Sequence, residues 1–124
     1  MPNPAPGFRD RPDHSMSLSA ADRSVRVSLA GVEIARSTRA IRLDEASYPP
    51  RYYIPQADID MSKLTPTPHA TYCPFKGRAG YWSVSAGGET SENAAWAYEA
   101  PYDECAAIRG MIAFYGDEFE IEAG

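Results

Sequence analysis

The stretch Val25-Arg26-Val27-Ser28-Leu29-Ala30-Gly31-Val32-Glu33-Ile34-Ala35 decides the fold class. Val25, Val27 and Leu29 alternate with Arg26 and Ser28. After Ala30-Gly31, Val32 and Ile34 alternate with Glu33 and Ala35. Successive side chains on a strand point to opposite faces, so this period of two predicts two strands, each with one buried face. Ala30-Gly31 predicts a hairpin turn, with Gly31 free to take a positive φ. Outward from there, Ile41 and Leu43 around Arg42 predict a third strand that ends before Asp44-Glu45.

Downstream, Tyr48 to Pro68 contains Pro49, Pro50, Pro55, Pro66 and Pro68. Each proline lacks a backbone donor, so the stretch predicts an ordered connection and not a central strand. Tyr52, Tyr53 and Ile54 fit a short edge strand, and Asp60 can cap one helical turn through Met61-Ser62-Lys63-Leu64. Thr71–Cys73 and Ala79–Val84 read as the arms of a hairpin, with Pro74 and Gly77 in the turn and Cys73 and Lys76 at its tip. Gly87-Gly88 predicts another turn. Ala94 to Tyr98 predicts another strand, with Trp96 and Tyr98 on one face. Asp103 caps a short helix near residues 103–109 that Gly110 ends, and Met111 to Tyr115 reads as a strand. A continuous helix from Asp103 to Phe114 is the rival reading. Gly116-Asp117 then turns into a last strand over Phe119 and Ile121.

These elements predict a mainly β protein: one small domain of coiled antiparallel sheets and hairpins. A chain of 124 residues has room for one hydrophobic core. Residues 1–21 hold four of the eleven prolines (Pro2, Pro4, Pro6, Pro12), and their large apolar residues are Met1, Phe8, Met16 and Leu18. That composition predicts a flexible Pro-rich N-terminal arm over 1–21 and a folding unit over 22–124.

A net charge of −5 with singly scattered Lys and Arg argues against binding a nucleic-acid backbone. No apolar run approaches the roughly 20 residues that cross a bilayer, and no signal-like apolar segment opens the chain. The expectation is a cytoplasmic protein whose Cys73 and Cys105 are free thiols.

Metal and cofactor chemistry find little support. Structural zinc takes four Cys or His ligands, commonly in close pairs, whereas Cys73, Cys105, His14 and His69 stand apart. His14 reads as a solvated arm residue and His69 as a surface loop residue. No phosphate-cradling glycine loop, dinucleotide fingerprint or serine elbow is present, so no metal and no cofactor are expected. The acidic pairs Asp44-Glu45, Asp103-Glu104 and Asp117-Glu118 read as solvated turn and cap residues.

Two features remain. Lys76 can fold back over the turn towards Cys73, where an ammonium would favour the thiolate; a half-buried, inert cysteine is the plainer reading. Tyr52, Tyr53, Tyr72, Tyr81, Trp82, Trp96, Tyr98, Phe114 and Tyr115 are many large rings for so small a domain. Rings with polar tips line pockets as readily as they pack a curled sheet.

Arg39 to Glu45 followed by Pro50-Arg51-Tyr52-Tyr53-Ile54-Pro55, then Thr71-Tyr72-Cys73-Pro74-Phe75-Lys76-Gly77 with Tyr81-Trp82-Ser83-Val84, and finally Glu92 to Tyr98 with Pro101 and Ile108 to Tyr115, resemble in order and spacing the bacterial domain-of-unknown-function family 427. The resemblance covers about Val25 to Glu122. It implies a small, coiled, mainly β fold related to the β-tent group, some members of which carry zinc and others a cage of aromatic rings. The paired cysteines of the zinc-bearing relatives are missing here. The family also carries a nucleotidyltransferase heading, yet the carboxylate pair that would hold two metals is not visible.

Two functional expectations follow. The first is a small-molecule site, binding or catalytic, where Cys73 and Lys76 meet Tyr53, Tyr81, Trp82, Trp96 and Tyr98. Lys76 would hold an anionic group, the rings would stack on the ligand, and Cys73 would be nucleophile or sensor. The second is a non-enzymatic interaction module or homo-oligomer subunit that uses aromatic faces and sheet edges. No complete set of nucleophile, base and orienting group can be assembled, so binding ranks slightly ahead of catalysis.

Overall fold

A computed structural model describes residues 2–21, 23–116 and 119–123. Strands dominate it. They are β1 (Met16–Ala20), β2 (Val25–Leu29), β3 (Val32–Ser37), β4 (Ile41–Glu45), β5 (Arg51–Tyr53), β6 (Leu64–Cys73), β7 (Gly77–Ala86), β8 (Glu89–Tyr98), β9 (Ile112–Phe114) and β10 (Glu120–Ala123). They form three antiparallel sheets, ordered β1-β4-β5, β10-β2-β3 and β6-β7-β8-β9. The predicted β2–β3 hairpin turns at Ala30 (φ 51°) and Gly31 (φ 78°). Single bridges tie Ile54, just after β5, to Ile112 of β9, and Ala35 of β3 to Ile59 in the connection that follows β5.

The four-stranded sheet lies at the centre, and period two gives its faces different partners. Val84, Ala95, Ala97, Ile112 and Phe114 turn to one side, where they pack with Val25, Val27, Leu29 and Ile34 of the β10-β2-β3 sheet. Ala79, Tyr81, Trp96, Tyr98 and Ala113 turn to the other, where they meet Leu43 and Tyr53 of the β1-β4-β5 sheet. The register stacks this second face: Tyr81 opposes Trp96, Ala79 opposes Tyr98, and Trp96 opposes Ala113. Each aliphatic side chain fully buried here contributes about 1.5–3 kcal/mol.

Three expectations are corrected. Residues 2–20 do not trail as an arm. Met16–Ala20 pairs with β4 from Met16↔Glu45 to Ala20↔Ile41. Upstream, the backbone N–H groups of Asn3 and Ala5 donate to the carboxylates of Asp103 (2.7 Å) and Glu104 (2.9 Å), and that of Gly7 donates to the Pro74 carbonyl (2.9 Å). Proline content misled because it reports on backbone donors, whereas the docking uses Phe8, Met16 and Leu18, the few apolar side chains available.

The connection expected up to Pro68 becomes strand from Leu64. Pro66 and Pro68 are tolerated because β6 is the sheet edge, and the pairing slips between Thr67 and Ala70. The strand expected to end before Asp44-Glu45 continues through both residues.

The segment after Pro101 folds as expected in outline. A 3-10 helix spans Asp103–Ile108, Gly110 follows at φ 70°, and β9 replaces the rival continuous helix. Of the expected last turn, Asp117 lies outside the described residues; Phe119 is buried, and Ile121 pairs with Val27. No helix among the described residues is long and apolar enough to cross a membrane.

Candidate functional site

Between the ring-bearing face of the central sheet and the β4-β5 pair lies a hollow of about 330 Å³. Tyr81, Trp96 and Tyr98 enter it from β7 and β8, and Leu43, Glu45, Arg51 and Tyr53 from β4 and β5. Residues 43, 45, 51 and 53 share a face because they sit two apart on their strands, with Leu43 opposite Arg51. Tyr48 (68% exposed) and Tyr115 (37% exposed) stand at its mouth. A second hollow of about 540 Å³ adjoins it, sharing Pro49, Arg51 and Tyr115. Its remaining described walls carry no charged side chain, so the chemistry concentrates in the smaller one.

Lys76 reaches the hollow from the β6–β7 turn. The turn closes with the Lys76 N–H on the Cys73 carbonyl (3.2 Å), and the Lys76 carbonyl accepts from Tyr102 (3.0 Å). Gly77 follows at φ 120°, where a Cβ would meet the Ala100 carbonyl at 3.3 Å. The Lys76 side chain therefore folds inward and is 8% exposed. Its Nζ lies 2.6 Å from Glu45 Oε1 and 3.8 Å from Cys73 Sγ. The other Glu45 oxygen bonds His14 Nε2 at 2.8 Å, and the His14 ring stacks on Phe75 with centroids 3.9 Å apart. Phe8 closes edge-on against Phe75 at 4.9 Å.

These contacts set the electrostatics. Burial acts to raise the pKa of Glu45, but the hydrogen bonds from Lys76 and His14 outweigh it and hold the carboxyl below its ordinary value. The charge on Lys76 is thus already met by Glu45. Burial pushes the Tyr53 and Tyr98 hydroxyls well above the usual phenol range, so both remain protonated donors at neutral pH. Tyr53 accepts the Trp96 indole N–H at 3.2 Å, and Tyr81 shares a hydrogen bond with Thr71 at 3.0 Å. The Tyr98 hydroxyl has no hydrogen-bond partner among the described residues, although the residue is only 6% exposed. It opens into the hollow.

Of the site residues expected from sequence, Tyr53, Lys76, Tyr81, Trp96 and Tyr98 come together as walls of this hollow. Trp82 does not. It follows Tyr81 on the same strand, so it points to the opposite face and packs against the other core. Cys73 touches the hollow only through Lys76, and Cys105 is buried beneath it, its thiol pushed up to about 11 by burial. Both thiols are free.

Glu45, Arg51 and His14 join the site beyond the sequence expectation, which makes Glu45 a solvated turn or cap residue and His14 an arm residue; Arg51 has a legible signal, since it lies two residues before Tyr53 on one strand. His69 stays exposed, with its ring edge-on to Tyr81. Asp103 and Glu104 anchor the N-terminal backbone, and Asp117-Glu118 lies outside the described residues. Among the described residues no three of His, Cys, Asp and Glu converge as a metal site requires.

The fold and site define a mainly β domain with a buried aromatic cluster around one Lys–Glu pair. A family model described as a domain of unknown function (DUF427) matches residues 17–123, and the chain belongs to that family. No curated protein matches the sequence significantly.

Proposed function

We propose that this domain binds a small molecule in the aromatic hollow beside Lys76 and Cys73. The observation that carries the reading is Tyr98, a residue only 6% exposed whose hydroxyl bonds no described residue and keeps its access to solvent through the hollow. A hydroxyl donor set among rings at a solvent-reached wall fixes the orientation of a ligand that takes the place of its water. A ligand acceptor at Tyr98 would replace that water. The cavity lies at the small end of ordinary ligand sites, roughly 300–1,000 Å³, and has the expected mixture of rings and a few polar tips.

Binding outranks catalysis on the same geometry. Tyr53 and Tyr98 are held protonated, Glu45 is engaged at both oxygens, and among the described residues Cys73 has no base within hydrogen-bond reach other than the paired Lys76. Lys76 and Glu45 then act as a rigid floor, and Cys73 as a bystander behind it. The prolines of β6 also disfavour strand addition at that sheet edge, which weighs against an interaction module built there.

A fragment screen by ligand-induced thermal shift tests the reading, with Tyr98→Phe as the discriminating variant. The substitution removes no internal hydrogen bond, so the fold should persist. Hits should lose about tenfold in affinity, or about 1.4 kcal/mol. Hits that bind Tyr98→Phe as tightly as the native protein would contradict it.

A further inference from the structure

We infer that the ligand is a small aromatic carboxylate and that Arg51 is its anchoring cation, a conclusion that rests on the binding reading above. Three charged side chains line the hollow: Glu45, Arg51 and Lys76. Glu45 and Lys76 cancel across 2.6 Å. Among the described residues Arg51 has no carboxylate within ion-pair distance, so the described walls of the hollow hold one positive charge without a matching negative one, in a chain of net charge −5. An acidic protein that keeps a lone cation in a concave, ring-lined site favours entry of an anion there.

The position of Arg51 narrows the class. Its guanidinium carbon lies 5.5 Å from the Trp96 ring centroid and 5.8 Å from that of Tyr115. A guanidinium held against aromatic faces is fixed in orientation, and its N–H groups stay available for the paired hydrogen bonds that suit a carboxylate. Trp96 and Tyr53 meet edge to face, at 89° with centroids 6.4 Å apart, and with Tyr81, Tyr98 and Tyr115 they give the hollow a ring-bearing wall that suits a planar ligand. The Tyr98 hydroxyl adds a second donor from the floor. One unmatched positive charge neutralises one negative charge. A phosphate dianion would leave surplus charge in a largely desolvated site, so a carboxylate is the better match.

The test compares acids with their neutral amides: benzoate with benzamide, and 2-naphthoate with 2-naphthamide, titrated calorimetrically into the full chain. At least one acid should bind ten times or more tightly than its amide, and its affinity should fall as sodium chloride rises while the amide's does not. Arg51→Met should lower the acid to the level of the amide and leave the amide unchanged; Arg51→Lys should fall between. The salt dependence needs no variant, so a poorly folded Arg51→Met would not rescue a failed prediction. Amides that bind as well as acids would overturn the role of Arg51 while leaving the hollow a binding site. If neither acids nor amides bind, both conclusions fall.

Discussion

Trp96 donates its indole N–H to the Tyr53 hydroxyl at 3.2 Å, joining the central sheet to β5 across the floor of the hollow. Both side chains are buried, so each polar atom depends on the other for satisfaction. Tyr53→Phe strands the indole N–H and should cost about 1–2 kcal/mol. Differential scanning calorimetry should show Tm lower by roughly 3–10 °C for a domain of this size. An unchanged Tm would mean that the bond does not hold the two sheets.

Glu45 offers a pH signature. Its carboxyl is held below the ordinary 4.5 in the folded protein by Lys76 and His14, against the opposing effect of burial. A carboxyl depressed on folding stabilises the fold fully above its unfolded pKa, and that stabilisation disappears as pH falls through the folded value. The stability gap between the native protein and Glu45→Gln should therefore be constant near neutrality and narrow below pH about 4.5. Urea titrations from pH 7 to pH 3 read it. Among the described residues three other depressed carboxyls, Glu33, Asp58 and Asp60, titrate in both proteins and cancel in the difference.

The two thiols should separate cleanly. Cys73 is part-exposed, whereas Cys105 is fully buried with its thiol raised to about 11. Iodoacetamide at pH 7.5 should place one label on Cys73 in the native protein, and a second on Cys105 only in denaturant. Peptide mass spectrometry assigns them. Native labelling of Cys105 at a comparable rate would contradict the packing.

Docking of the N-terminal segment can be tested at Gly7. A Cβ there would lie 2.7 Å from the Phe75 ring and 2.9 Å from the Pro74 carbonyl oxygen, and backbone cannot yield cheaply. Gly7→Ala should destabilise by about 1–3 kcal/mol, the usual cost of overpacking. A neutral effect would indicate that residues 5–14 do not clamp the turn that bears Lys76.

Much of this was legible in letters, and the misses share causes. Period two correctly placed Trp96 beside Tyr98 and would also have separated Tyr81 from Trp82, since neighbours on one strand cannot face one cavity. The same rule, applied to Arg51 and Tyr53, reveals the cation. His14 and Glu45 were beyond such rules. They lie 31 residues apart and meet only because β1 pairs with β4, and no local pattern in a Pro-rich segment announces that pairing. The place of the Tyr98 hydroxyl on the wall of the hollow is likewise a property of packing.

The two tryptophans make the most direct test, because Trp96 lines the hollow and Trp82 faces the other core. Fragments titrated into ¹⁵N-labelled protein should move the Trp96 indole N–H resonance and leave that of Trp82 in place, and Tyr98→Phe should weaken that response. Fragments that shift only Trp82, or a broad set that shifts neither indole, would contradict a ligand site between the sheets.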